Sequence, residues 1–165
     1  MRAIASEAGR AIGLPYKVFA NREEIVAELV LEEFVGLRAE LDRWTARAGS
    51  GTVGGNLAAY AKIMLDRDLP VWQMINDLGD AALSQAAAAK AGPSGLLASF
   101  GSTVRDYLDA EQRLGRIHPD VDVDAYGFLI TGAIHNLLIA GQGYPRPSRR
   151  RLDEMLHAIA SRISA

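Results

Sequence analysis

His118, His135 and His157 are the side chains best suited to bind a metal, and no cysteine accompanies them. Their intervals put no two on one helical turn, so they offer no paired ligands. The chain also lacks a His-Glu-x-x-His helix, a Gly-rich phosphate loop and a Gly-x-Ser-x-Gly elbow. The acid pairs Asp66 with Asp68 and Asp77 with Asp80 read as helix-end or surface carboxylates. No catalytic residue, metal site or cofactor is therefore assigned, and the chain is not expected to be an enzyme. A different chemistry is concentrated near the front. Arg10, Lys17 and Arg22 lie in a run with no acid between the first and the last, with Tyr16 among them. Guanidinium, ammonium and phenol groups all donate to phosphate oxygens.

The local elements that must carry those donors are short. Ile4 and Ala8 share one helical face, and Gly9 supplies a residue able to take a positive φ and end the first helix. Leu14, Tyr16, Val18 and Phe19 then fit a second short helix, with Lys17 and Arg10 pointing outward. Two short helices joined by a tight turn are the helix–turn–helix plan, whose second helix enters the major groove of DNA.

Ile4-Ala5-x-x-Ala8-Gly9, followed by Gly13-x-x-Tyr16-x-x-Phe19-x-Asn21-Arg22-Glu23-Glu24, resembles the DNA-binding segment of the TetR family of bacterial transcriptional regulators. The resemblance implies a dimeric repressor whose ligand-binding domain alters the spacing of two recognition helices. It also implies that Arg10, Ala11, Ile12 and Leu14 face base edges while Tyr16, Lys17 and Arg22 hold phosphates. Side-chain chemistry agrees with that division. Ala11, Ile12 and Leu14 read little beyond thymine methyls, and Arg10 is the candidate for a guanine contact.

Two departures from the family pattern stand out. Pro15 occupies a position where the family usually carries Leu. Inside a helix Pro costs roughly 3 kcal/mol, but the first turn tolerates it, so the recognition helix is expected to start no earlier than Ile12. Met1 stands where the family's second helix begins. The helix that would precede it, and pack on Ile4, Ala8 and Phe19, is expected to be missing.

Composition bounds the rest. The chain has 165 residues, 49% of them hydrophobic, enough for one good-sized core or a small domain fused to a larger one. The absence of cysteine excludes disulfides and thiolate chemistry and fits a reducing compartment. No apolar run approaches the ~20 residues of a membrane span and no secretory signal opens the chain, so a cytoplasmic protein without membrane contact is expected. Net charge is −2, which gives no general attraction to nucleic acid, so DNA binding must depend on local charge. From Met1 to Glu24, four cations against Glu7, Glu23 and Glu24 leave +1, and the remainder carries −3.

Beyond the motif the pattern is helical throughout. Asn21 with Glu24 resembles a capping box, so a connecting helix starts at about Arg22. It carries Ile25, Val26, Leu29, Val30, Phe34, Leu37, Leu41 and Trp44 on one stripe until Gly49 to Gly55, which reads as a flexible linker. Leu57, Tyr60, Ala61, Met64 and Leu65 mark the next helix, to about Asp66. Helical runs from Pro70 to Gly79 and on to Ala91 follow. The break Gly92-Pro-Ser-Gly95 precedes a helix carrying Leu97, Phe100, Val104, Tyr107, Leu108 and Leu114, ended by Gly115. Arg113 to Asp122 resembles the turn that many TetR-type proteins carry between their seventh and eighth helices.

From Asp124 to Ala140 the helix is apolar on nearly every side and must be covered on both faces. Ser148 caps a last helix striped with Leu152, Met155, Leu156, Ile159 and Ile163. These two helices are expected to form a four-helix bundle with their twofold mates. Tyr126, Ile130, Gly132, Ala133, Leu137, Leu152, Met155, Leu156 and Ile159 would form the homodimer interface, with Gly127, Gly132 and Ala133 permitting close approach. Arg149, Arg150 and Arg151 oppose the last helix's dipole and read as surface charges paired with nearby acids.

By helical position, Tyr60, Met64, Trp72, Met74, Phe100, Val104, Tyr107, Phe128, Thr131 and His135 are candidates to line a cavity for a small, mainly apolar effector. The expectation is an all-α, TetR-like regulator, with a helix–turn–helix segment at 1–24 joined to a helical ligand-binding and dimerisation domain at 25–165. It would bind double-stranded operator DNA as a homodimer. The alternative is a helical dimeric ligand-binding module that has lost DNA binding.

Overall fold

The computed structural model describes residues 22–66, 98–139 and 145–165. Among them the chain is all-helical, in five helices: α1 (Arg22–Thr45), α2 (Val53–Leu65), α3 (Ala98–Arg113), α4 (Val123–Ile139) and α5 (Arg149–Ile163). None is long and apolar enough to cross a membrane. The expected helix–turn–helix, its Asn21 cap and the runs between Pro70 and Ala91 lie outside the described residues.

Each helix forms where a stripe of apolar side chains finds something to cover it. On α1, Phe34, Leu37, Leu41 and Trp44 recur at helical spacing and are all buried. Complete burial of such a side chain stabilises by about 1.5–3 kcal/mol before chain entropy is set against it. The α2 stripe of Val53, Leu57, Tyr60, Ala61 and Met64 lies in the same core, with Val104, Tyr107 and Leu108 from α3. From the last two helices come Ile130, Ile134 and Leu138 of α4 and Leu152, Leu156, Ala160 and Ile163 of α5. α3 packs mainly on α4, and α5 mainly on α2, while α1 lies against both α2 and α3.

Helix ends are set by local chemistry. Ser148 Oγ accepts from Arg151 N–H at 3.2 Å, as a cap requires. At the end of α3, Arg116 N–H returns to Glu111 O at 3.0 Å and Gly115 N–H to Gln112 O at 2.9 Å. That pairing, with Gly115 at φ +72°, is a Schellman ending, which a side chain at Gly115 would strain. A short antiparallel bridge then ties the chain's end to this turn, with His118 N–H donating to Ile163 O and Ala165 N–H to Arg116 O.

The glycine-rich stretch expected as a linker is an ordered corner instead. Thr52 Oγ1 accepts from Gly55 N–H at 3.0 Å and caps α2, so Gly54 and Gly55 lie in that helix's first turn. Their lack of side chains has a packing use as well. A Cβ on Gly54 would stand 2.4 Å from His157 Nδ1 of α5, so glycine lets α2 and α5 approach closely.

Candidate functional site

Among the described residues, the densest gathering of buried polar side chains surrounds that corner. Trp44, in the last turn of α1, stacks tilted against Tyr60 and Tyr107, with ring centroids 5.0 and 4.5 Å away. Its indole N–H donates to Asn56 O at 2.6 Å. The Asn56 side chain donates to Ser50 O at 2.8 Å and to the Tyr107 hydroxyl at 3.0 Å, and that hydroxyl donates to Glu111 Oε1 at 2.6 Å. The other Glu111 oxygen accepts Gly49 N–H at 3.1 Å and faces Arg116 Nη1 at 3.3 Å, an ion pair that lies off hydrogen-bond geometry. Arg116 Nη2 reaches over to Gly51 O at 2.6 Å.

Glu111 is fully buried, and a buried carboxylate is tolerated only when charge and donors surround it. Here it has a guanidinium, a phenol and a backbone amide. Burial, and then the Glu111 carboxylate beside it, push the Tyr107 phenol far above its usual range, while Asn56 pulls the other way. The network is closed on itself. The Glu111 carboxylate is fully buried and its partners are all protein groups, so the network suits the positioning of the elements it joins.

Of the residues expected to line an effector cavity, Tyr60, Met64, Val104 and Tyr107 are brought together in the core. Burial pushes the Tyr60 phenol up to about 12, tempered by the Thr131 hydroxyl. Thr131 Oγ1 is itself buried, close enough for that influence but short of regular hydrogen-bond geometry. Phe128 and His135 lie exposed on α4, Phe128 to 77%. Trp72, Met74 and the Phe100 side chain lie outside the described residues. A surface groove of about 300 Å³ opens between α2 and α5, lined by Ala58, Ala61, Lys62, Asp66, Arg149 and Leu152 among others. None of the expected effector contacts is in it.

The residues expected at a homodimer interface divide three ways. Ile130, Leu152 and Leu156 belong to the protomer's own core and have little surface to give a partner. Tyr126, Leu137 and Ile159 are half-buried against that core. Gly132, Ala133 and Met155 are exposed, and a Cβ on Gly132 would meet nothing within 4 Å. With Phe128 and Leu129, the first two make the outer side of α4 an apolar face without a covering element among the described residues. Gly127 has a different use, internal to the protomer. A Cβ there would come within 2.8 Å of the Arg105 Cα, so glycine sets the close packing of α4 on α3.

Sequence reasoning missed Asn56, Glu111 and Arg116. A signal existed for two of them. Glu111 continues the stripe of Val104, Tyr107 and Leu108, and Asn56 that of Val53, Leu57 and Tyr60, so each is a polar residue on an apolar face. The DNA-facing candidates Arg10, Ala11, Ile12, Leu14, Tyr16 and Lys17 lie outside the described residues, while Arg22 opens α1. Among the described residues no cluster of three or more His, Asp or Glu side chains is placed to hold a metal. Comparison of the chain with protein-family models, curated proteins and solved structures finds no match.

Proposed function

We propose that the chain is a TetR-like transcriptional regulator. It binds operator DNA as a homodimer through the segment at 4–24 and is released by a small, mainly apolar ligand. The observation that carries this reading is the spacing of Ala8-Gly9, Tyr16 and Phe19 ahead of α1 and of Arg22-Glu23-Glu24 at its start. Two features of the fold support it. α1 has 24 residues, a rod of about 36 Å that leads from the segment into the body. The outer side of α4 offers Phe128, Leu129, Gly132 and Ala133 for a twofold partner, whose copy of the helix would cover them. Ligand binding shifts the balance toward a dimer whose recognition helices no longer match one turn of DNA.

A gel shift with the DNA upstream of the chain's own gene tests the reading. Tyr16→Ala with Lys17→Ala is expected to weaken binding to all sequences and flatten its salt dependence, and Arg10→Ala to relax base preference as well. No shift at low salt would favour the module that does not bind DNA.

A further inference from the structure

The apolar stripe of α1 packs that helix against the body, and polar contacts at its C-terminal end add to that packing. Directional bonds gather at the corner between α1 and α2, where the Trp44 indole also holds Asn56 O. There, side chains from α2, α3 and the turn after α3 hold the backbone of Gly49, Ser50 and Gly51. Gly49 and Gly51 both have positive φ, +84° and +62°, so this corner can take conformations closed to other residues. Glu111 is common to the arrangement. It accepts Gly49 N–H, faces the arginine that holds Gly51 O, and accepts from the tyrosine that Asn56 also holds.

We infer that the corner at 46–52 is a latent hinge held shut by the buried Glu111 carboxylate, a positioning residue that fixes the direction in which α1 leaves the body. The regulator reading gives that direction its use, since α1 carries the DNA-binding segment, and only in that sense does the inference rest on it. Loss of the Glu111 charge leaves Arg116 without its ion-pair partner and gives a single carbonyl oxygen two donors to satisfy. The corner then gains freedom while the apolar core stays intact.

The absence of cysteine allows a direct test. Spin labels on Val35→Cys of α1 and Ala158→Cys of α5, diluted with unlabelled protein, report the distribution of separations between the two helices without DNA or effector. Glu111→Gln is expected to broaden that distribution and speed exchange of the Gly49 amide. Leu156→Ala, which weakens the core between α2 and α5, is expected to lower Tm and leave the distribution narrow. Should Glu111→Gln fail to fold, Arg116→Met, whose side chain is partly exposed, is expected to broaden it in the same way. An unchanged distribution, or equal broadening in Leu156→Ala, would overturn the hinge. A broadened distribution in a chain that never binds DNA would keep the hinge and remove the regulator.

Discussion

Arg149, the first residue of α5, donates through Nη2 to the carbonyl of Leu65, the last residue of α2, at 2.8 Å. The same nitrogen lies 3.0 Å from Asp66 Oδ1. An arginine that opposes the dipole of its own helix thus serves the C-terminal carbonyls of another, where positive charge is favourable. Arg150 and Arg151 both pair with Glu154. The C-terminus of α2 beside the N-terminus of α5 accounts for Arg149. Glu154, one turn on, accounts for Arg150 and Arg151, in line with the pairing with nearby acids expected from the sequence.

Replacing Arg149 by Ala is therefore expected to lower Tm by about 1–3 °C, in line with an exposed pair. Its pH dependence has a definite sign. The Lys62 hydrogen bond, with Arg149 adding to it, holds the Asp66 carboxyl below its usual range. A depressed carboxylate contributes stability above its unfolded pKa and loses it as pH falls through the folded value. The difference between wild type and Arg149→Ala should narrow below about pH 4 in thermal melts.

Tyr107→Phe is expected to cost about 1–3 kcal/mol, because it removes the donor to Glu111 and the acceptor for Asn56 inside the core. Urea unfolding measures this as a lower midpoint with an unchanged slope.

High pH should act on the same tyrosines. Burial raises Tyr60 to about 12, and Tyr107 shifts the same way. A phenol whose folded pKa lies above its unfolded value of about 10 stabilises fully below that value and loses the contribution as pH rises through the folded pKa. Stability is expected to fall from about pH 10 upward, and Tyr60→Phe to reduce the slope in chemical unfolding followed across that range.

Two glycines of α4 should respond oppositely. Gly127→Ala brings a methyl against the Arg105 backbone and is expected to destabilise by about 1–3 kcal/mol. Gly132→Ala meets nothing within the protomer, so helix propensity alone predicts a gain of up to about 1 kcal/mol. Gly132→Leu adds bulk to the outer face and is expected to leave a folded protein that sediments as a monomer.

How far the sequence could be read follows from these residues. The stripe of α1 from Phe34 to Trp44, the stripe of α5, the Ser148 cap and the Gly115 ending were legible, because each depends on neighbours within about a turn of helix. The same phase would have separated Gly127, on the side of Ile130 and Ile134, from Gly132. The corner at 46–52 was not legible. Clustered glycines read alike in a linker and in a tight corner followed by a helix's first turn, and what distinguishes them is Glu111, which is distant in the chain. The candidate DNA-binding segment rests on its motif alone, since it lies outside the described residues.

In the proposed regulator, two symmetry-related copies set a cationic helix into the same face of a duplex. Hydroxyl-radical footprinting on the DNA upstream of the chain's own gene, at low salt, tests it most directly. Two equivalent protected patches are expected on one face, about one helical turn or 34–36 Å apart. The absence of protection, or one patch without a symmetric mate, would contradict it.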